Sequence, residues 1–239
     1  MKLVKIITAV LFFGLTANQI TAQQTADEYV KSGMAKEKKE DLKGAKSDYS
    51  KAIKLSPDKA DYYFYRANME IDMLELENAV NDLNKVLQLD ANYKEAYYNR
   101  GNVYFELNDW DKAMQDFDKY LAMAPEDGEA YYDRGNVKFS VGKYEEAIVD
   151  FNKAISITPT SSDVFYDRGN AFYRLKKYQD AISNYSDAIK LNANDYKFYF
   201  NRALAEFSIE LTDAGCKDIT KAKLLADSEA DIYLSEFCK

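Results

Sequence analysis

A spacing of 34 residues constrains this chain more than any other property. Gly101, Gly135 and Gly169 are each preceded by Arg and followed by Asn, as in Tyr98-Asn99-Arg100-Gly101-Asn102 and Tyr132-Asp133-Arg134-Gly135-Asn136, and they stand 34 residues apart. Extended without a gap, the spacing divides residues 26 to 229 into six copies beginning at Ala26, Ala60, Lys94, Gly128, Ser162 and Tyr196. Such a chain buries its apolar surface between neighbouring copies, so a repeat array is expected in place of a conventional globular domain.

Numbering each copy from 1 exposes fixed columns. Position 8 is small (Gly33, Ala67, Gly101, Gly135, Gly169, Ala203), and so is position 20 (Ala45, Ala79, Ala113, Ala147, Ala181, Gly215), which lets two helices approach closely. Position 4 is aromatic (Tyr29, Tyr63, Tyr97, Tyr131, Phe165, Tyr199), and position 24 is large (Tyr49, Leu83, Phe117, Phe151, Tyr185, Ile219), to fill the space beside that contact. All three prolines, Pro57, Pro125 and Pro159, fall at position 32, where a fixed φ and a missing N–H end a helix. Apolar residues recur at spacings of three and four twice per copy, with short polar links such as Asn108-Asp109 and Gly142-Lys143 between. The unit is a helix–turn–helix.

These columns, with an aromatic at 17 (Trp110, Tyr144, Tyr178) and Ala at 27 (Ala52, Ala154, Ala188, Ala222), resemble the tetratricopeptide repeat. The resemblance implies an all-α, right-handed superhelical solenoid of six repeats over residues 23–229. The first copy carries Lys38-Lys39-Glu40-Asp41 around its turn, and the sixth has Thr212 and Gly215 in the aromatic and alanine columns, departures suited to the ends of an array. Ile232, Leu234 and Phe237, spaced by polar residues, suit a C-terminal capping helix over 230–239, packed on the sixth repeat.

Residues 1–22 read as a secretory signal peptide: Lys2 and Lys5 precede the apolar run Ile6 to Leu15, and a cut after Ala22 fits a small-residue site. A permanent anchor is the competing reading, but the run is far short of the roughly 20 residues a spanning helix needs. The expected product is exported, periplasmic or secreted, with no transmembrane segment in the mature chain. Removing Lys2 and Lys5 takes the net charge from −8 to −10, which disfavours nucleic acid. The two cysteines, Cys216 and Cys238, are expected to form a disulfide in that compartment, with two buried thiols as the alternative.

Catalysis finds no foothold. The chain has no histidine, so it lacks the commonest general base and metal ligand, and its cysteines have no imidazole partner. Carboxylates recur with the repeat instead of clustering, and no phosphate-binding glycine motif is present. A non-enzyme without metal or cofactor is expected.

Arg occupies position 7 in repeats two to six (Arg66, Arg100, Arg134, Arg168, Arg202), and Asp occupies position 23 in all but the fifth (Asp48, Asp82, Asp116, Asp150, Asp218). Pairing each Asp with the Arg of the following repeat makes four pairs and leaves Arg202 facing Asn184, while pairing within a repeat also makes four and leaves Asp48 without an Arg; a ladder of inter-repeat pairs that fixes the stacking is expected.

Function falls to a surface. Positions 5 and 9 share one face of the first helix, which the family resemblance places on the concave groove. They read Phe64 and Asn68, Tyr98 and Asn102, Tyr132 and Asn136, Tyr166 and Asn170. A carboxamide matches both groups of a peptide backbone, and a tyrosine adds apolar area with a polar tip, so these eight are the candidate ligand-binding residues. The same asparagines could instead bond a neighbouring helix. The family's carboxylate clamp is absent, because position 5 is Val or aromatic and position 2 is acidic (Asp27, Asp61, Glu95, Glu129, Asp163). The expected activity is a scaffold binding a neutral or basic peptide or protein. A carbohydrate-binding envelope protein and a permanent subunit of an envelope assembly are the alternatives.

Overall fold

The computed structural model describes residues 24–225 and 230–238. The segment assigned to export lies outside them. Among the described residues there are thirteen helices and no strand: α1 (Ala26–Glu37), α2 (Leu42–Leu55), α3 (Ala60–Asp72), α4 (Leu76–Leu89), α5 (Lys94–Glu106), α6 (Trp110–Met123), α7 (Gly128–Ser140), α8 (Tyr144–Ile157), α9 (Ser162–Arg174), α10 (Tyr178–Leu191), α11 (Tyr196–Phe207), α12 (Thr212–Leu224) and α13 (Ala230–Phe237). Six helix pairs begin at the six copy boundaries. Each helix packs on the one before and the one after, giving a helical solenoid.

Every first helix stops at the same place. Position 15 has a left-handed backbone in all six repeats: Glu40, Leu74, Asn108, Lys176 and Glu210 with φ between 58° and 64°, and Gly142 at 80°. The amide of position 16 then donates back to the carbonyl of position 11, as in Glu75 to Glu70 (2.7 Å) and Lys143 to Lys138 (2.9 Å). Only Gly142 and Asn108 suit this conformation intrinsically; packing on either side imposes it on the others.

Within each repeat the ring or branched chain at position 24 is buried against position 8, and the two vary together. A Cβ added to Gly33, Gly135 or Gly169 would lie 2.6, 2.6 or 2.7 Å from the ring of Tyr49, Phe151 or Tyr185, and one on Gly101 would lie 3.2 Å from Phe117. Where position 8 is Ala67 or Ala203, position 24 is the smaller Leu83 or Ile219, with all four fully buried. Total volume is held constant across the contact, as close-packed interiors require.

The arginine ladder runs differently from the sequence expectation. Arg66, Arg100, Arg134 and Arg202 each grip the Asp of their own repeat through Nε and Nη2: Asp82 at 2.6 and 2.7 Å, Asp116 at 2.7 and 2.7 Å, Asp150 at 2.8 and 2.7 Å, and Asp218 at 2.5 and 2.9 Å. The remaining Nη1 reaches position 25 of the preceding repeat, at Ser50, Asn84, Asp118 and Ser186 respectively. Arg168 meets Asn184 and Asn152 in the same two places. A guanidinium has five donors in a rigid fork, so one arginine serves both its own repeat and the one before. Counting single pairs missed this. In the first repeat, Asp48 is held instead by Ser32 (2.6 Å), Lys36 (2.5 Å) and Lys51 (3.0 Å). Burial works to raise the Asp48 carboxyl, but those three bonds prevail and hold it at about 2.

The position 4 column lies beneath these arginines. The guanidinium carbons of Arg66, Arg100, Arg134, Arg168 and Arg202 stand 5.3–5.8 Å from the ring centres of Tyr63, Tyr97, Tyr131, Phe165 and Tyr199. The hydroxyls of Tyr63, Tyr97 and Tyr199 donate to the position 32 carbonyls of Pro57, Ala91 and Ala193, which fixes the loop between repeats.

Helix α13 begins 34 residues after Tyr196, so it stands in phase as the first helix of a further copy, with Asp231 at the acidic position 2 and Tyr233 at the aromatic position 4. It packs on the sixth repeat through Phe200–Tyr233 and a stacked Phe207–Phe237 pair, with ring centres 5.2 and 4.8 Å apart. Cys216 and Cys238 are bonded across this contact, their Cα atoms 5.6 Å apart.

Candidate peptide-binding face

The first helices of successive repeats touch one another along one side of the array, at α5·α7, α7·α9 and α9·α11. All eight residues expected to bind ligand sit on them and are half-buried. Phe64 packs on Tyr93 with ring centres 4.9 Å apart. Tyr98, Tyr132 and Tyr166 lay their rings on Phe117, Phe151 and Tyr185 of the same repeat, at 5.8–6.0 Å.

Their polar atoms reach across repeat boundaries. The Tyr98 hydroxyl donates to Asp133 at 2.7 Å and the Tyr132 hydroxyl to Asp167 at 2.6 Å, each 35 residues further on. The Tyr166 hydroxyl instead accepts from Asn201 at 2.6 Å. Asn68 accepts from Asn99 at 2.8 Å, and the Asn170 carbonyl accepts from Tyr185 and Asn201 at 2.9 and 3.2 Å. Asn102 and Asn136 lie beside the hydroxyls of Tyr98 and Tyr132 on their own helices. The same residues that offer a ligand rings and carboxamides therefore also stitch the first helices together.

Position 6 is the column that the sequence reading passed over: Asn99, Asp133, Asp167 and Asn201 supply every partner just named from the following repeat. The signal was a polar residue one place beyond a whole period from each position 5 tyrosine. Burial pushes the Asp133 carboxyl up to about 6, with Glu129 and Asp127 adding to the rise and the Tyr98 hydrogen bond opposing it. Burial raises Asp167 too, against hydrogen bonds from Tyr132 and Asn170. Exposed Asp61, Glu95, Glu129 and Asp163 flank this row, so the face is acidic over repeats two to five. Among the described residues no group of carboxylates and cysteines is arranged to hold a metal, and no helix is long and apolar enough to cross a membrane.

Family profiles described as "TPR repeat" match residues 67–107 and 135–176, and profiles described as "Tetratricopeptide repeat" match 95–127, 162–195 and 27–59. The chain belongs to the tetratricopeptide repeat family. Solved structures with the same fold include YrrB, described as "a TPR protein with an unusual peptide-binding site", at 22% identity and a TM-score of 0.69, with 79% of this chain and 97% of that one covered. PilF of Pseudomonas aeruginosa aligns at 19% identity with a TM-score of 0.72, covering 88% and 97%. MamA of Desulfovibrio magneticus RS-1 aligns at 19% identity with a TM-score of 0.70, covering 72% and 97%. No curated protein matches the chain in sequence. As a tetratricopeptide repeat array, the chain is built as a scaffold for protein–protein interaction.

Proposed function

We propose that the first-helix face is the groove in which this protein binds an extended, neutral or basic peptide segment of a partner, and that it does so without catalysis, after export. The observation that carries the reading is the half-buried row of Tyr98, Asn102, Tyr132, Asn136, Tyr166 and Asn170 beside the acidic position 2 and Asp133 and Asp167. Rings give contact area at low entropic cost, carboxamides serve backbone groups, and the carboxylates favour a cationic segment. YrrB, a structure of the same fold, is described as having a peptide-binding site, which favours this occupant over a sugar. The Cys216–Cys238 bond supports an oxidising compartment.

The test compares binding of the oxidised protein to a peptide array graded in net charge and to a glycan array. The variant carries Glu95→Gln, Glu129→Gln and Asp163→Asn, all exposed and outside the inter-repeat bonds. Retention of cationic peptides, weakened in the variant, is expected. Binding confined to the glycan array, or indifferent to the three substitutions, would reject the peptide groove.

A further inference from the structure

The charge of this face changes sign at its C-terminal end. Position 13 runs Asp72, Glu106, Ser140 and then Arg174, while position 6 of the following repeat runs Asn99, Asp133, Asp167 and then Asn201. Position 2, acidic in five repeats, becomes Lys197 in the sixth. Where these departures meet, between α7, α9 and α11, the surface folds into a notch of about 260 Å³. Phe139, Tyr173, Leu204 and the buried Tyr185 line it together with Asn170, Asn201 and the exposed Arg174.

The volume is below the range of drug-sized ligand pockets and suits one large side chain. Both hydrogens of the Asn201 amide are engaged, by Tyr166 and Asn170, which leaves its carbonyl oxygen as an acceptor without a partner among the described residues. Arg174 is paired with none of the described carboxylates; its guanidinium rests 5.0 Å from the ring centre of Tyr144, and its donors bond no other described residue. An aromatic and aliphatic lining, an open acceptor and an exposed cation complement a phenol flanked by a carboxylate.

We infer that this notch anchors a tyrosine side chain of the bound peptide, with an adjacent acidic residue paired to Arg174. Resting on the groove reading above, this gives the ligand a polarity: an acidic tyrosine-containing end over repeats four to six and a neutral or basic stretch over the preceding repeats.

The experiment titrates the oxidised protein with three blocked dipeptides, acetyl-Tyr-Glu-amide, acetyl-Tyr-Gln-amide and acetyl-Tyr-Lys-amide, followed by backbone amide NMR. Shifts centred on Tyr173, Asn201 and Leu204 are expected, with the Glu dipeptide binding at least fivefold more tightly than the Gln one. Arg174→Glu, at an exposed position, should reverse the order in favour of the Lys dipeptide. Equal affinities, shifts elsewhere, or an order unchanged by R174E would overturn the anchor. If the dipeptides fail while cationic peptides still bind the array, the notch inference falls alone; if both fail, the groove falls with it.

Discussion

Gly135 faces the Phe151 ring so closely that a Cβ on it would stand 2.6 Å from Cε1. Gly135→Ala should therefore lower stability by about 1–3 kcal/mol, the usual result of overpacking a rigid interior. Adding Phe151→Leu recreates the Ala67–Leu83 combination of the second repeat and should recover part of the loss. Urea unfolding of both single variants and the double measures the coupling, and simple addition of the two losses would refute the compensation.

Leu74 holds a φ of 59° with its side chain 81% exposed. It bears the steric cost of the left-handed region while contributing little packing. Leu74→Asn should raise stability by about 1 kcal/mol, since Asn tolerates this backbone far better. A melting temperature that falls instead would show that the exposed leucine contributes packing after all.

Arg100 and Arg134 occupy equivalent rungs but carry different responsibilities. Asp116 relies on Arg100, whereas Asp150 has Lys138 at 2.7 Å besides Arg134. Arg100→Ala leaves a buried carboxylate without a cation and should cost about 3–5 kcal/mol, while Arg134→Ala should cost distinctly less. Equal losses in chemical denaturation would contradict the distinction.

Glu206 is 7% exposed and its Oε2 has no hydrogen-bond partner among the described residues. Burial, and then the nearby Asp218, push its carboxyl up to about 7, with Arg202 opposing. The folded state thus holds the proton more tightly than the unfolded chain does, where the ordinary value is 4.5. Below pH 4.5 both states are protonated and the site carries no penalty. As pH rises from 4.5 towards 7 the unfolded chain ionises first, so stability falls until the folded group ionises too. Glu206→Gln should flatten that decline and stabilise the protein at pH 8 by about 1–3 kcal/mol. A decline of undiminished slope in the variant would exclude Glu206 as its source.

Reducing the Cys216–Cys238 bond, or replacing both cysteines with serine, should loosen α13 ahead of the rest. A cross-link closing a loop of 22 residues contributes about 3 kcal/mol in the chain-entropy model. Hydrogen exchange should rise in α13 and at Phe200 and Phe207 while repeats two to four stay protected. Uniform exchange along the array would mean that the bond supports the whole fold.

The helices, their boundaries and the packing columns were legible because each repeat must solve the same contact with the same chain length. Gly135 and Phe151 announce it by size alone. Arg134 did not announce its geometry, because a residue column gives no hint that one fork spans two repeats. Tyr132 and Asn136 were legible as one helix face, but the tie from Tyr132 to Asp167 depends on the offset between repeats, which tertiary packing sets. The phase of α13 was visible in Asp231 and Tyr233, yet Phe237 at the small-residue position disguised it.

Two sets of polar bonds run along the array, arginine forks from the first helices onto the second helices, and tyrosine, aspartate and asparagine contacts between first helices. Both sets cross each boundary from the second repeat to the sixth, so bending the array strains both. The fork at Arg168 is weakest, because Asn184 replaces an aspartate and the guanidinium bonds only uncharged amide oxygens, Asn184 at 2.6 Å and Asn152 at 2.7 Å. Curvature is therefore least resisted in the fifth repeat, beside the notch at Arg174, where flexing would change the width of the opening most.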